Sequence, residues 1–318
     1  MARKTIGFVG LGAMGLPMAR NLIKGGHLVT GFDLDPRACA ALVADGGQSA
    51  QSGAQAARDA DIVITMLPNA SHVKAALTAE DGIFSALGKD AIFINMSTIL
   101  PQETDLIAGM IQARGHRMID APVGRSAMEA ERGTLLILAS GSAQDKETAK
   151  EALLCMGNQI IDCGEVGGGS RVKVVNNFMG ISLNALTAEA LTLAESCGLG
   201  VDLALEVMRG TIAGLGHMNI TYPNKVLRGD LSAGFQVDLA HKDLGLALEL
   251  AARGNACVPM GAAAFQSYTT ARAQGRGGED YSAIYPVMRS LAGLPEDLPY
   301  KVTTPLNADP FGKAASKG

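Results

Sequence analysis

The sequence predicts two unlike halves. Residues 1–164 read as an α/β domain on a doubly wound parallel sheet. Residues 165–318 read as an all-α C-terminal domain, begun by one long interdomain helix at about 170–197. Three observations carry this. Short apolar runs alternate with helix-like segments in the first half, the arrangement of βαβ units. A glycine-rich turn follows the first of those runs. At the glycine cluster of Cys163-Gly-Glu-Val-Gly-Gly-Gly169 the strand pattern ends, and the segments beyond it are helical.

A chain of 318 residues has length for about two domains. With 47% hydrophobic residues, 4% aromatics and no tryptophan, its core must be packed from Ala, Val, Leu and Ile. The formal net charge of −4 gives no basic footprint for nucleic acid or an anionic membrane. Cysteines 39, 155, 163, 197 and 257 form no CxxC pair, which suits free thiols in a reducing cytosol. A strand pattern begins within five residues of the start, leaving no room for a signal peptide, and no apolar run reaches the length of a membrane span. The expectation is a cytoplasmic protein with no nucleic-acid partner, no membrane partner and no metal site.

The first run, Thr5-Ile-Gly-Phe-Val9, leads straight into Gly10-Leu11-Gly12-Ala13-Met14-Gly15. Pro17–Lys24 then reads as helix, and Leu28-Val-Thr-Gly-Phe-Asp33 as a strand ending in an acid. That is the full context of a dinucleotide fingerprint. Gly10 permits the tight turn, Gly12 the approach of a pyrophosphate, and Gly15 the seating of the helix on the strand. Asp33 stands where a carboxylate accepts hydrogen bonds from adenosine ribose hydroxyls and repels a 2′-phosphate. NAD(H) is therefore the expected cofactor, in preference to NADP(H). Strands at Asp61–Pro68 and Ala91–Thr98 put Leu67, Pro68, Asn69, Ser97 and Thr98 on the ligand-holding edge. Asn69 reads equally well as an ordinary helix cap; Ser97 and Thr98 are placed for the nicotinamide half.

Two further strands, at about Arg117–Pro122 and Thr134–Ala139, bracket a loop with a Gly124-Arg125-Ser126 core. A guanidinium there can fork onto a carboxylate or sulfonate, assisted by Ser126 and backbone amides. A solvated loop arginine is the competing reading. In the helix at 170–197, Lys173, Asn176, Asn177 and Gly180 stand at i, i+3, i+4 and i+7 on one face of an otherwise apolar segment. Either that face is simply wet, or it carries a catalytic ammonium with polar positioning groups. A cleft beside a nicotinamide favours the second: Lys173 protonates the alkoxide formed by hydride transfer to a carbonyl, and Asn177 and Asn176 orient it and the substrate oxygen. His217 and His241 are alternative acids. Further helices are read at Asp202–Met208, Phe235–Ala251 and Gly261–Ala273, with a loop at Gly210–His217. The tail from Pro295 reads as irregular.

The motifs GFVGLGAMGLPMARNL, MLPN, NMST, DAPVGR, GTLLILASG, KVVNN and HKDLGLAL cover nearly the whole chain in order. Together they resemble the β-hydroxyacid dehydrogenase family, which includes 3-hydroxyisobutyrate dehydrogenases. The resemblance implies a Rossmann-type domain, an all-α domain, and homodimers or homotetramers built on the helical domain. It implies catalysis by Lys173 with Asn177, and a Lys242 close to substrate and cofactor. The family loop DAPVSGG here reads Asp120-Ala-Pro-Val-Gly124-Arg125-Ser126. With GTIAGLGHM and YPNKVLRGDLSAGFQVDLAHKDLG, this arginine variant is similar to members that reduce a small sulfonated aldehyde. A sulfonate has three acceptor oxygens, which Arg125 and the Gly124 and Ser126 amides would meet. Gly180 stands where the resemblance implies a sulfonate-binding serine. A carboxylate substrate, such as a 3- or 4-hydroxy acid, is the main alternative. A non-catalytic or imine-reducing relative is the third, and Lys173 argues against it.

Overall fold

The structure, a computed structural model, describes residues 3–217 and 221–294. The strands and α-helices up to β6 wind one sheet: β1 (Thr5–Val9), α1 (Gly15–Lys24), β2 (Leu28–Phe32), α2 (Pro36–Ala44), β3 (Gln48–Ser49), α3 (Gly53–Ala57), β4 (Ile62–Thr65), α4 (Ala70–Thr78), β5 (Ile92–Asn95), α5 (Pro101–Gln112) and β6 (Arg117–Asp120). All neighbours are parallel, in the order β3-β2-β1-β4-β5-β6. The strands are apolar at successive positions because both faces are covered. Ile62, Ile64, Ile92 and Ile94 pack with Met18 and Leu22 of α1 in one core. Val63 and Phe93, one residue out of phase, pack with Val73 and Leu77 of α4 and Ile107 and Ile111 of α5 in the other. The strand order reverses between β1 and β4, so the ligand-holding crevice of a doubly wound sheet falls at the ends of these strands.

The chain then departs from simple continuation of that sheet. β7 (Val123–Gly124), β8 (Leu135–Ala139) and β9 (Gly157–Asp162), with α6 (Ala127–Arg132) and α7 (Ala143–Met156) between them, form a separate three-stranded sheet. β7 pairs antiparallel with β8, and β8 pairs parallel with β9. A bridge between Asp120 and Ser140 joins the two sheets at one point. The strand expected over 117–122 stops at Asp120, two residues before a proline that lacks a ladder donor. Nothing in its residues marked β9, Gly-Asn-Gln-Ile-Ile-Asp, which is largely exposed.

Helix α8 (Gly168–Ser196) follows. The chain divides into two compact units, Met1–Met179 and Gly180–Gly318, so α8 starts in one and ends in the other. The described part of the second unit is helical: α9 (Val201–Arg209), α10 (Ile212–Leu215), α11 (Thr221–Asn224), α12 (Val237–Arg253), α13 (Pro259–Ala273) and α14 (Ile284–Leu291). Its core includes Val237, Ala271, Ala283 and Val287 with Leu231 and Tyr268. Two expectations are corrected. The segment read as a loop at 210–217 contains α10, and a further helix, α14, follows the one read as last. The irregular tail expected from Pro295 lies outside the described residues.

Candidate active site

Each glycine of the β1–α1 turn has a separate spatial reason. Gly10 has φ +99°, and a Cβ there would meet the Met66 carbonyl oxygen at 2.3 Å. A Cβ on Gly15 would lie 1.9 Å from the Gly10 carbonyl oxygen. A Cβ on Gly12 would meet nothing within 4 Å, so that backbone faces open space. Helix α1 has Met14 at its N-cap, no side-chain cap and no acidic residue in its first turn. Its start is thus an electropositive end left free for an anion. Leu11 is buried beneath the turn, while Gly12 and Ala13 are exposed.

Beside the turn is a cavity of about 610 Å³ lined by residues including Gly10, Asp33, Leu34, Gln51, Leu67, Pro68 and His72. The Asp33 carboxylate takes the Leu11 amide at 2.7 Å and the Asp35 amide at 2.8 Å, which fixes it at the rim. Arg37 is turned away onto Asp35 through Nε (3.0 Å) and Nη2 (2.9 Å). An uncapped helix end, an open backbone at Gly12 and a positioned carboxylate fit a dinucleotide. Gln51 and His72 carried no sequence signal, since no motif includes them.

Ser97 and Thr98 separate. Ser97 is fully buried, and its hydroxyl accepts the Leu67 amide at 2.9 Å; its own amide points to Asn95 Oδ1 at 3.3 Å. Asn95 also takes the Thr65 hydroxyl at 3.1 Å. Ser97 therefore braces the β4 and β5 turns against each other, and only Thr98 is exposed. Asn69 caps α4, accepting the His72 amide at 3.1 Å.

Gly124 ends β7, buried in a ladder with Leu136, and the loop begins after it. Arg125 has φ +77°, a left-handed conformation that disfavours a side chain by roughly 1–2 kcal/mol. Its Nη1 donates to the Thr134 carbonyl and, at 2.7 Å, to Asn158 Oδ1. Among the described residues Nε and Nη2 have no acceptor, so one edge of the fork is held and the other is open. Ser126 is differently employed. It is the N-cap of α6 in a capping box, its amide donating to Glu129 Oε2 at 3.0 Å and its hydroxyl at 2.6 Å. The donation expected from the Ser126 amide to a substrate is taken by Glu129.

On α8, Lys173 is 9% exposed, and burial lowers its pKa below the ordinary lysine value. No hydrogen bond or ion pair holds its ammonium among the described residues. Asn177, half-buried, and Asn176, exposed, are also without protein partners there. Gly180 is exposed, and a Cβ on it would meet nothing within 4 Å. The stripe is thus graded, most buried at Lys173.

Lys242 lies on α12 in the second unit, exposed and paired with Asp243 at 2.9 Å. The two histidines are built into that unit. His217 Nδ1 lies 3.1 Å from the Thr221 hydroxyl and 3.3 Å from that of Tyr281, and burial lowers its pKa. His241 bridges Thr269 (3.0 Å) and Arg272 (3.2 Å) against the Phe265 ring.

Comparison with known proteins agrees with this architecture. Residues 5–164 match the family described as the NAD binding domain of 6-phosphogluconate dehydrogenase, and residues 167–288 that described as NAD-binding of NADP-dependent 3-hydroxyisobutyrate dehydrogenase. The chain is 49% identical over 289 residues to 3-sulfolactaldehyde reductase of Escherichia coli, covering 91% of this chain and 97% of that one. It is 39% identical to 2-(hydroxymethyl)glutarate dehydrogenase of Eubacterium barkeri, covering 91% and 96%. Among solved structures, 3-hydroxyisobutyrate dehydrogenase of Mycobacterium tuberculosis with L-serine matches with TM-score 0.64 and 33% identity, over 91% of this chain and 100% of that chain. The chain belongs to the β-hydroxyacid dehydrogenase family, the 3-hydroxyisobutyrate dehydrogenase-like NAD-dependent oxidoreductases.

Proposed function

We propose that the protein reduces 3-sulfolactaldehyde to 2,3-dihydroxypropane-1-sulfonate with NADH. The single observation carrying the substrate is Arg125, a strained arginine with one edge anchored and the other open, on the loop where the family resemblance implies glycine. The 49% identity to a 3-sulfolactaldehyde reductase supports the same reading.

The bound cofactor supplies a hydride to the carbonyl carbon. The chain's own residues do the rest. The Gly10–Gly15 turn and the start of α1 hold the pyrophosphate, and Asp33 holds the adenosine ribose. Leu67 and Pro68 line the adenosine side, with Thr98 toward the nicotinamide. Arg125 forks onto the sulfonate, with Gly124 shaping the loop beneath it. Lys173 gives its proton to the carbonyl oxygen as the hydride arrives, leaving a neutral amine and an alcohol. Burial favours that neutral product state, so the proton is readily surrendered. Asn177 and Asn176 orient the ammonium and the substrate oxygen. The family resemblance also assigns Lys242 to substrate binding.

The second reading, a carboxylate semialdehyde or hydroxy acid, is favoured by the 33% identical 3-hydroxyisobutyrate dehydrogenase. A panel of carboxylate semialdehydes and their sulfonate counterparts with NADH separates the two. Preference for the sulfonate, lost on replacing Arg125 with a neutral residue, supports the first. Equal turnover of the carboxylates, or no loss on replacement, rejects it. Association of copies through the helical unit belongs to the same reading, supported by exposed Ile181 (69%), Leu203 (53%) and Val207 (57%). Light scattering showing a monomer would reject that part. A cytoplasmic location is supported by five cysteines that form no disulfide.

A further inference from the structure

Four polar side chains that the reaction does not use meet beneath the start of α8. Asp120 ends β6, Ser140 follows β8, Thr104 lies in the first turn of α5, and Ser170 lies in the first turn of α8. All are 0–1% exposed. The Asp120 carboxylate accepts the Ser170 amide at 2.8 Å on one oxygen and the Ser170 hydroxyl at 2.9 Å on the other. The Ser140 hydroxyl lies 3.3 Å from the same carboxylate and accepts the Gly169 amide at 3.0 Å. Thr104 Oγ1 lies 2.8 Å from Ser170 Oγ.

A buried carboxylate with no cation in contact is costly to retain, and burial raises the Asp120 pKa against these hydrogen bonds. A serine or asparagine would cap a helix at less cost. What the carboxylate adds is a two-point grip on a single residue, one oxygen on its backbone and one on its side chain. A one-point cap lets a helix end pivot; two points fix its rotation. The neighbouring glycines leave no slack. A Cβ on Gly168 would lie 1.9 Å from the Cys163 carbonyl oxygen, and one on Gly169 2.4 Å from that of Leu138.

That rotation sets the stripe. At about 100° per residue, Ser170, Lys173 and Asn177 fall within an arc of roughly 60°. A helix turned by about 20° carries an ammonium some 8 Å from its axis through about 3 Å, and misplacement by about 1 Å can cost on the order of 100-fold in rate. We propose that Asp120 is a positioning residue for the reaction: through Ser170 it fixes the rotation of the first turn of α8, and so the aim of the Lys173 ammonium and the Asn177 amide. This rests on the reading of Lys173 as proton donor.

The test uses Asp120→Asn, Ser170→Ala and Ser170→Thr in the full chain, with Lys173→Met alongside. The substrate is the aldehyde turned over fastest in the panel. Circular dichroism first establishes that each variant is folded at the assay temperature. Asp120→Asn and Ser170→Ala should lower kcat by about 10- to 100-fold, leave the NADH KM within about twofold, and move the alkaline limb of the kcat profile to higher pH as Lys173 gains water. Ser170→Thr, which keeps the hydroxyl, should recover most of kcat. A helix cap with no positioning role would change melting temperature and leave that limb in place. An unchanged kcat in both variants, or a fall with the limb unmoved, overturns the proposal. If Asp120→Asn does not fold, the Ser170 pair decides. Lys173→Met inactive with normal Asp120 and Ser170 variants sinks this proposal alone; Lys173→Met active sinks it together with the reading it rests on.

Discussion

The helices α1 and α6 begin at loops of the same unit, and they treat their amides in opposite ways. Helix α1 starts at Met14 with no side-chain cap and no acid in its first turn. Helix α6 starts at Ser126 with a complete capping box from Glu129. The first helix end is left electropositive, and the second is satisfied from within. The start of α1 can therefore grip a pyrophosphate by backbone alone, whereas the Arg125 loop has its foremost amide already committed. On the proposed reading its anion is met by side chains, Arg125 and the stripe on α8. Backbone on one side and side chains on the other is a division that substitutions can break.

The largest effect should come from the side-chain half. Lys173→Met is expected to lower kcat for aldehyde reduction by roughly 100- to 10,000-fold, the range for loss of a positioned acid, while NADH still binds. With Lys173 as the proposed proton donor, reduction in the parent should fall as pH rises through the Lys173 pKa, which burial holds below the ordinary value. Alcohol oxidation needs the neutral amine and should rise through the same pH. Both limbs should vanish in the variant. Stability carries its own sign. Between the lowered folded pKa and the ordinary one, the unfolded chain holds more protons, so the parent gains stability with rising pH there. Lys173→Met removes that slope, and melting at neutral pH should be no lower than in the parent, because an unpaired buried cation has gone. Titration of rate and of melting temperature checks both; a variant that melts earlier with rate intact would reverse the assignment.

The backbone half is tested by a pair of glycines. Gly15→Ala places a Cβ 1.9 Å from the Gly10 carbonyl oxygen, so the phosphate turn has to open. NADH affinity should fall at least about tenfold, a loss of about 1.4 kcal/mol. Gly124→Ala meets Leu136 Cβ at 3.4 Å, an ordinary contact, and should leave NADH affinity unchanged. Fluorescence titration of both distinguishes a turn that needs glycine from a loop that merely contains one.

That contrast also explains what was legible in the residues. The fingerprint is readable because the backbone geometry of Gly10 and Gly15 admits almost nothing else, and a spacing of glycines is a pattern. The apolar strands are readable because burial on both faces leaves no polar alternation. Lys173 is readable by its isolation on an apolar helix. Asp120 was visible only as a member of a longer motif and Ser170 carried no signal of its own, since a buried network joins residues fifty positions apart and no local spacing announces it. Ser97 looked like a cofactor contact for the same reason: position at the strand end was right, but only the fold shows its hydroxyl spent on Leu67. β9 escaped because a largely exposed strand loses the apolar pattern that identifies its neighbours.

Arg125→Gly sets strain against function within one residue. Relief of a left-handed arginine, worth about 1–2 kcal/mol, opposes the loss of the bonds to Thr134 and Asn158 and the added freedom of the unfolded chain. Unfolding free energy should stay within about 1 kcal/mol of the parent. Turnover of the sulfonated aldehyde should drop by about 10- to 100-fold, as expected for charge-assisted bonds worth roughly 1.5–3 kcal/mol, and carboxylate substrates should be spared. Denaturant unfolding beside the substrate panel reads both. Loss of stability without change of selectivity would make Arg125 a structural residue of its loop.

The smallest expected effect lies at Gly180. The stripe reaches it with nothing within 4 Å of a Cβ, so the position is open and no packing demands glycine. Gly180→Ser adds a hydroxyl one turn beyond Asn176, which on the proposed reading offers the sulfonate a further donor. It also replaces glycine inside a 29-residue helix, a change worth about 0.5 kcal/mol in stability. The KM for the sulfonated aldehyde should fall by about two- to tenfold, the increment of one neutral hydrogen bond, with kcat and the NADH KM unchanged. If the hydroxyl raises helix stability and leaves that KM where it was, the anion does not extend along the helix to this turn. Arg125 would then hold the sulfonate from its loop, with the α8 stripe confined to the carbonyl end.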